Sequence, residues 1–282
     1  MTRANMLTLG AGLFAMLGSS PVQAREELAS IAKDDWVMVG VGVMVGPTYS
    51  GSDESEVFVG GAVMGRIGGF RVSPRVAGAA VDLIRDDDAP VEFTLGPVIR
   101  SRFDRTGSSL KNSVVESLGK LDTAIEVGAN VGVGFKKILH PYDRIEVGMD
   151  VRKDIAGAHK GVVVSPSVTY QTPLSKGAAV SLMASADYWT GKTSRYYWAV
   201  SAAQSAASGL PEYKASDGFN SVSLLTIAIV DLDGNLMNGG AAIAAGGGYQ
   251  RLTGSGKNSP ITRLQGDADQ WYGGIGVTYT FY

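Results

Sequence analysis

The sequence predicts an all-β fold, a closed antiparallel β-barrel that crosses a membrane. Two observations carry this prediction: long segments in which apolar residues alternate with small or polar ones, and a final segment that ends in aromatic residues. The final segment, 270–282, places Val277 and Phe281 on one face and Gly276 and Thr278 on the other. A period of two indicates a strand with one apolar face.

The end of this strand distinguishes a membrane barrel from a soluble sheet. An apolar edge at the end of a soluble sheet invites aggregation, whereas a membrane barrel closes without a free edge. Gly276, Tyr279 and Phe281 occupy the relative positions of the signal that the barrel-assembly machinery recognises, displaced by one because Tyr282 follows. We therefore expect the last strand to pair with the first.

The same alternation predicts twelve strands along the chain. Their expected bounds are 36–46, 57–66, 70–84, 91–103, 121–135, 144–155, 161–171, 178–189, 195–202, 219–231, 236–252 and 270–282. Most run for about 10 to 14 residues, which suits a tilted membrane strand, whereas soluble strands average about five or six. Ten strands remain if 195–202, the weakest, belongs to a loop and one early segment does not cross. An even number is expected when both ends lie in the periplasm.

Breaks in the alternation predict the connections between strands. Short turns are expected at 68–69, 86–88, 173–177 and 231–235, and longer connections at 47–56, 104–120, 204–218 and 253–269. With twelve strands, 104–120 falls on the periplasmic side, where connections are normally short. Aromatic residues near strand ends are expected to face the lipid interface: Trp36, Tyr188, Trp189, Tyr196, Tyr197, Trp198, Trp271 and Tyr272.

Charged residues share the polar faces of two neighbouring predicted strands. They are Glu126, Arg144, Glu146, Asp150 and Arg152. Carboxylates placed in this way resemble the acid and base of a glycosidase, but arginines stand on the same face. The sequence therefore favours a charge-paired network in the barrel lumen over a catalytic pair.

The chain divides into an export signal and a barrel. Residues 1–24 predict a secretory signal peptide, because Arg3 precedes a short apolar segment and small residues follow it. An N-terminal membrane anchor is disfavoured because the apolar segment is short. Residues 25–34 predict a charged periplasmic lead-in, and 35–282 predict the barrel in the cell outer membrane, surrounded by outer-membrane lipid.

Composition argues against several classes of function. The net charge of −2 offers no basic surplus for binding nucleic acid, and the lack of Cys excludes disulfides and thiolate chemistry. The two histidines, His140 and His159, flank the predicted strand 144–155, so they lie at opposite ends of the barrel wall, roughly 25 Å apart. We expect no catalytic residues, no metal site and no cofactor.

Several segments, in order along the mature chain, resemble the MipA/OmpV family of outer-membrane proteins, named for the MltA-interacting protein. The most specific segments contain Tyr49, Gly51, Ser52, Asp53, Ser208, Gly209, Leu210, Pro211 and Tyr213. Weaker similarity covers 150–153, 158–161, 249–252 and 259–261. The chain departs from the family pattern at 253–255 and at Lys153, where a second Arg is usual.

The resemblance implies a non-enzymatic protein of the Gram-negative cell envelope. It implies a scaffold that links a murein lytic transglycosylase to a penicillin-binding synthase, with no shared catalytic residues. A small-solute porin and a surface adhesin are the alternatives. Bulky arginines would partly fill a lumen of ten to twelve strands, which favours the scaffold: Arg100, Arg102, Arg144 and Arg152.

Overall fold

Twelve antiparallel strands close into a barrel in the computed structural model, which describes residues 35–86, 89–107 and 110–282. Each strand pairs with its neighbours in the chain, and the last strand pairs with the first. The fold class and the strand number predicted from the sequence are confirmed. The signal peptide (1–24) and the lead-in (25–34) fall outside the described residues and stay predictions.

The described part of the chain contains these twelve strands and five short helices, which lie in the connections after β5, β9 and β11. The strands are β1 (Trp36–Pro47), β2 (Ser55–Ile67), β3 (Phe70–Arg75), β4 (Gly78–Asp82), β5 (Val91–Arg102), β6 (Ala124–Lys136), β7 (Arg144–Asp154), β8 (Val162–Ser175), β9 (Ala178–Trp189), β10 (Gly218–Asp231), β11 (Gly240–Leu252) and β12 (Asp269–Phe281). The helices are α1 (Ser113–Glu116), α2 (Gly191–Trp198), α3 (Ala202–Ser208), α4 (Gly254–Asn258) and α5 (Pro260–Gln265). None of these helices is long and apolar enough to cross a membrane.

Strand β7 illustrates how the alternation builds the wall. Val147 is 45% exposed and faces outward, whereas Asp150 and Arg152 are buried and face the lumen. Successive side chains of a strand point to opposite faces, so the wall has an apolar outside and a polar inside. The same alternation holds on β5 and β6, where Phe93, Leu95 and Val131 are exposed on the outward face.

The two ends of the barrel differ in the length of their connections. At one end, here named the loop end, lie the connections 48–54, 103–123, 155–161, 190–217 and 253–268. At the other, named the turn end, the barrel begins and finishes, and the three longest connections, 103–123, 190–217 and 253–268, all lie at the loop end. In bacterial barrels the long loops face the outside and the short turns face the periplasm.

Two predicted strands are wrong, and their correction removes the conflict over 104–120. The segment 70–84 is not one strand but the hairpin of β3 and β4, which turns at Val76 and Ala77. The segment 195–202 is not a strand, because most of it belongs to helix α2. The two errors offset each other in the count of twelve. The division of 70–84 into two strands places 104–120 at the loop end, where long connections are expected.

The short β3–β4 hairpin lowers the wall on one side. Strand β2 pairs with β1 along its length but with β3 only at Gly65, Arg66 and Ile67. A strand rises about 3.3 Å per residue, so strands of six and five residues reach less far than β2. Beside this step, the inward side chains of Met44 and Phe58 stay 48% and 37% exposed. The lumen therefore contains accessible space next to the low wall.

The closing seam joins β1 to β12, from Val37 opposite Phe281 to Val45 opposite Gly273. Gly42 and Gly276 stand opposite each other there. A Cβ atom on Gly42 would lie 2.6 Å from the carbonyl oxygen of Ile275, closer than a side chain tolerates. Glycine at this position therefore permits the close approach of the two backbones. Tyr279 and Phe281 face outward on the same strand, with ring centroids 4.7 Å apart.

Candidate functional site

A hydrophobic core closes the loop end of the barrel. Trp189, the last residue of β9, stacks on Trp198 of α2 with ring centroids 6.2 Å apart, and Tyr197 lies 5.2 Å from Trp189. The buried core, here named the cap, consists of Tyr49, Val115, Leu118, Val163, Trp189, Tyr197, Trp198, Val200, Leu210, Ala215, Leu252 and Ile261. The strand ends and the long connections thus form one core that covers the mouth.

The cap contains aromatic residues that were expected at the lipid interface. Trp189, Tyr197 and Trp198 are each 1% exposed, so that prediction is wrong for them. The Nε1 atom of Trp198 donates to the Oδ1 atom of Asn220 at 2.6 Å, which fixes the indole inside. By contrast, Trp271 on β12 is 70% exposed and faces outward, as the interface prediction requires.

The hydroxyl groups of the cap are adapted to an apolar interior. Burial raises the pKa of Tyr49 to about 12, and burial also raises the pKa of Tyr197. Tyr49 donates to the backbone oxygen of Gln265 at 3.1 Å. The Nη2 atom of Arg105 donates to the backbone oxygen of Tyr197, and burial lowers the pKa of this arginine. Burial thus disfavours the charged form of both phenols, as expected for an apolar interior.

Directly beneath the cap lies a buried charge cluster centred on Glu126. The Oε1 atom of Glu126 lies 3.1 Å from the Nε atom of Arg102, and Oε2 lies 3.1 Å from the Nε atom of Arg152. The Nε2 atom of His159 lies 3.3 Å from Oε1. The guanidinium of Arg102 also lies over the ring of Trp189, 4.8 Å from its centroid. One carboxylate thus joins two strands, one loop and the cap.

The cluster continues along the lumen from Arg152. Its Nη1 atom lies 3.0 Å from the Oδ2 atom of Asp150. Arg75 of β3 reaches the same carboxylate from across the lumen, with its Nε atom 2.8 Å from Oδ2. Asn130 donates to Oδ1 of Asp150 at 2.6 Å. Each buried charge in this group has an opposite charge beside it, as burial of ions requires.

A second charge cluster lies nearer the turn end. Its centre is Glu92, whose Oε2 atom lies 3.0 Å from the Nε atom of Arg144. Lys136 and Arg71 also pair with Glu92. Arg144 in addition pairs with Glu146, with 2.7 Å between Nη2 and Oε2.

The five charged residues selected from the sequence therefore separate into two groups. Glu126, Asp150 and Arg152 lie in the cluster beneath the cap, and Arg144 and Glu146 lie in the turn-side cluster. Sequence reasoning placed Arg102 in the lumen but did not connect it to Glu126. It missed the other partners: Arg71, Arg75, Glu92, Lys136 and His159. The alternation cannot reveal which distant strands meet across the lumen, nor where a loop histidine lies.

His159 has neighbours that resemble a nucleophile and an acid. Its Nδ1 atom lies 3.2 Å from the Oγ1 atom of Thr193, and its Nε2 atom faces Glu126. All three side chains are fully buried, so no substrate reaches the hydroxyl. The backbone N–H of Gly161 donates to Nδ1 at 3.1 Å, which makes this nitrogen an acceptor. These contacts hold the β7–β8 loop against helix α2 and the lumen, which suits a structural role better than a catalytic one.

The two histidines lie at opposite ends of β7, as the sequence predicts. His140 belongs to the turn-end connection and lies beside Thr172, while His159 belongs to the loop end. Across the described ranges, no group of three or more His, Cys, Asp or Glu side chains is placed to hold a metal ion.

The loop segments singled out by the resemblance contribute to the cap. Gly51 has a φ of +88° and donates its N–H to the Oε1 atom of Gln270, and Ser52 pairs with Gly266. These contacts tie the β1–β2 loop to the start of β12. Asp53 remains exposed beside them.

The second loop segment ends helix α3 and enters the cap. Ser208 is the last residue of α3, Gly209 terminates it with a φ of +74°, and Leu210 is buried. Pro211 remains exposed, and Tyr213 pairs with Val200. Most of these residues therefore stabilise the loops rather than form an open site.

Comparisons with known proteins identify one family. The family described as MltA-interacting protein MipA matches residues 39–281. No curated protein matches the chain. Among solved structures, the anion-selective porin from Comamonas acidovorans is 8% identical with a TM-score of 0.43, over 88% of this chain and 99% of that one. The toluene transporter TodX from Pseudomonas putida is 8% identical with a TM-score of 0.37, over 88% of this chain and 89% of that one.

The family match covers nearly the whole barrel, from Val39 near the start of β1 to Phe281, the last residue of β12. It agrees with the closed twelve-stranded wall and its outward apolar face. The protein is an outer-membrane β-barrel, and the chain belongs to the MipA family.

Proposed function

We propose that this chain is a non-enzymatic scaffold of the outer membrane, which holds a murein lytic transglycosylase and a penicillin-binding synthase at the turn end of its barrel. The family description names an interaction with MltA. The observation that carries the proposal is the cap, because a buried core across the loop end suits a structural barrel better than an open pore. After export and loss of residues 1–24, both ends of the chain would lie at the turn end, and in bacterial barrels that end faces the periplasm.

The turn between β6 and β7 offers a contact surface for such a partner. Leu139 at its tip is 76% exposed, and Ile138 and Tyr142 are exposed beside it. Asp143 holds the turn in shape, because its carboxylate accepts the N–H of Ile138 at 2.7 Å and of Leu139 at 2.8 Å. Burial alone would raise the pKa of Asp143, but the backbone N–H donors of Leu139, Ile138 and His140 outweigh it and lower the pKa. A rigid turn that presents apolar side chains loses little entropy on binding.

Changing Leu139 and Tyr142 together to Ser tests the scaffold. The amount of lytic transglycosylase that co-purifies from gently solubilised membranes is expected to fall at least tenfold, since burying each such side chain contributes about 1.5–3 kcal/mol and tenfold corresponds to about 1.4 kcal/mol. The matched control is Leu264→Ser, at an exposed position of the loop end, 57% exposed, which should leave co-purification unchanged. Absence of any transglycosylase with the unaltered chain, or equal losses in both variants, would contradict the proposal.

A small-solute channel is the second candidate, because Met44 and Phe58 border accessible space in the lumen. Planar-bilayer recording separates the two functions. The scaffold predicts no steady conductance for the unaltered chain, since the cap and the paired arginines obstruct the path. Steady conductance that persists unchanged after Arg144→Ala with Arg152→Ala would reject the obstructed barrel and favour a porin.

A further inference from the structure

A basic pocket lies on the outer rim of the loop end, separate from the cap and the lumen. It encloses about 420 Å³ between the β7–β8 loop and the start of helix α2. Four cations line it: Lys153, Lys160, Lys192 and Arg195. No carboxylate is part of the lining.

The four cations have no counter-charge within the described ranges. None of their side chains forms an ion pair or a hydrogen bond there, in contrast to the paired arginines of the lumen. Asp154 is the nearest carboxylate along the chain, but its oxygens accept the backbone N–H groups of Ala156 and Lys160, and its side chain faces inward. Like charges gathered around one cavity repel each other, so an anion in the cavity would stabilise them.

The pocket faces the membrane rather than the lumen. Lys153 pairs with Val127 and Val162, and its neighbours Arg152 and Asp154 point inward, so Lys153 points outward. It is the last residue but one of β7, and Val151 on the same face is exposed in the apolar band. The pocket therefore lies where the apolar band meets the loop end, which is the depth of lipid headgroups.

The backbone at the pocket floor also suits an anion. Helix α2 begins at Gly191, and its N-cap residue Thr190 makes no side-chain cap hydrogen bond to the helix. The hydroxyl of Thr190 donates instead to the backbone oxygen of Val162, at 3.1 Å. The uncapped N-terminus of α2 thus adds partial positive charge beside the four cations. A Cβ on Gly191 would lie 2.9 Å from Nη1 of Arg195, so glycine keeps room for this guanidinium.

We propose that the basic pocket binds the phosphate group of a lipid in the loop-side leaflet, with the acyl chains lying on the apolar band below Lys153. Lysine ammonium groups and an arginine guanidinium form strong charge-assisted hydrogen bonds with phosphate. Four cations suit a phosphomonoester, which carries more charge than a phosphodiester. This site is independent of the scaffold, because it lies at the opposite end of the barrel from the proposed partner surface.

Native mass spectrometry of the detergent-solubilised chain with phosphatidic acid, a phosphomonoester lipid, tests the site. Phosphatidic acid is expected to bind the unaltered chain at least tenfold more tightly than phosphatidylcholine. The variant with Lys153→Gln, Lys192→Gln and Arg195→Gln is expected to bind phosphatidic acid about 100-fold more weakly. Lys160 is left unchanged because its backbone has a left-handed conformation, with a φ of +52°, and a substitution there could alter the turn.

The matched control removes the same charge from the same end of the barrel. It carries Lys214→Gln, Lys257→Gln and Arg263→Gln, three exposed positions outside the pocket, and its affinity should stay within about twofold. Equal weakening in both triple variants would overturn the proposal, as would equal binding of the two lipids by the unaltered chain. Inorganic phosphate that displaces phosphatidic acid at equal concentration would also overturn it, because the site would then bind a soluble anion. The comparison of lipids needs no variant, so it holds if the triple variant fails to fold.

Discussion

Replacing Glu126 by Gln is expected to destabilise the barrel by about 3–5 kcal/mol, the cost of removing one partner from a buried ion pair. Glu126 is fully buried and is the carboxylate that Arg102, Arg152 and His159 share. Glutamine keeps the shape but removes the charge, which leaves Arg102 buried without its ion-pair partner. The free energy of unfolding, from urea titration in detergent followed by heat-modifiable gel migration, measures the loss.

The control for this prediction is Glu146→Gln in the turn-side cluster. Glu146 is 30% exposed and contacts Arg144, which keeps its pairing with Glu92 after the change. A loss below about 1 kcal/mol is expected there, as for exposed ion pairs. Adding Arg102→Met to Glu126→Gln should restore part of the lost stability, because the unpaired guanidinium disappears. A double variant less stable than Glu126→Gln alone would show that the charge pairing is not the source of the effect.

Replacing Val147 by Arg is expected to destabilise the barrel by about 2–4 kcal/mol, the cost of placing a charge on the lipid face near the membrane midplane. Val147 lies in the middle of β7, between Val133 of β6 and Val168 of β8, on the exposed outward face. A guanidinium there loses its hydration without gaining a partner. Unfolding from lipid vesicles, rather than from detergent, gives the relevant free energy.

The neighbouring Gly148 provides the matched control, because it belongs to the opposite face. A Cβ atom on Gly148 would lie 3.3 Å from the carbonyl oxygen of Val131, a contact that a small shift accommodates. Gly148→Ser should therefore change the free energy of unfolding by less than about 1 kcal/mol. If the two substitutions destabilise the barrel equally, the lipid face of β7 has been assigned to the wrong side.

The sequence predicts the wall of the barrel better than its ends. Alternation with a period of two identifies β7 and places Val147 outside and Arg152 inside, because only a strand satisfies that pattern. The hairpin at 70–84 is hidden because its turn residue Ala77 has a φ of +53°, a left-handed conformation that normally selects glycine or asparagine. The nearest glycine, Gly78, is already the first residue of β4, so it does not indicate the turn at Ala77. Local residue preference therefore misses a turn that the neighbouring strands impose.

The cap could not be predicted because its structure depends on contacts between distant segments. Tyr196, Tyr197 and Trp198 favour a strand by composition, yet they form helix α2. Burial of Tyr197 and Trp198 against Trp189 outweighs that preference. The same limit applies to the charge clusters: Arg102 meets Glu126 because β5 and β6 pair in one register, which the spacing of the residues does not encode.

The closing seam determines the order in which the barrel is assembled. Eleven of the twelve ladders join strands that follow each other in the chain, but the seam joins residues about 240 positions apart. Closing a loop of that length costs about 5 kcal/mol of chain entropy, as (3/2)RT ln n. The low-contact-order hairpins avoid this cost, so we expect the seam to form last and to open first. Hydrogen exchange that is faster along β1 than along β7 would reveal this kinetic weak point.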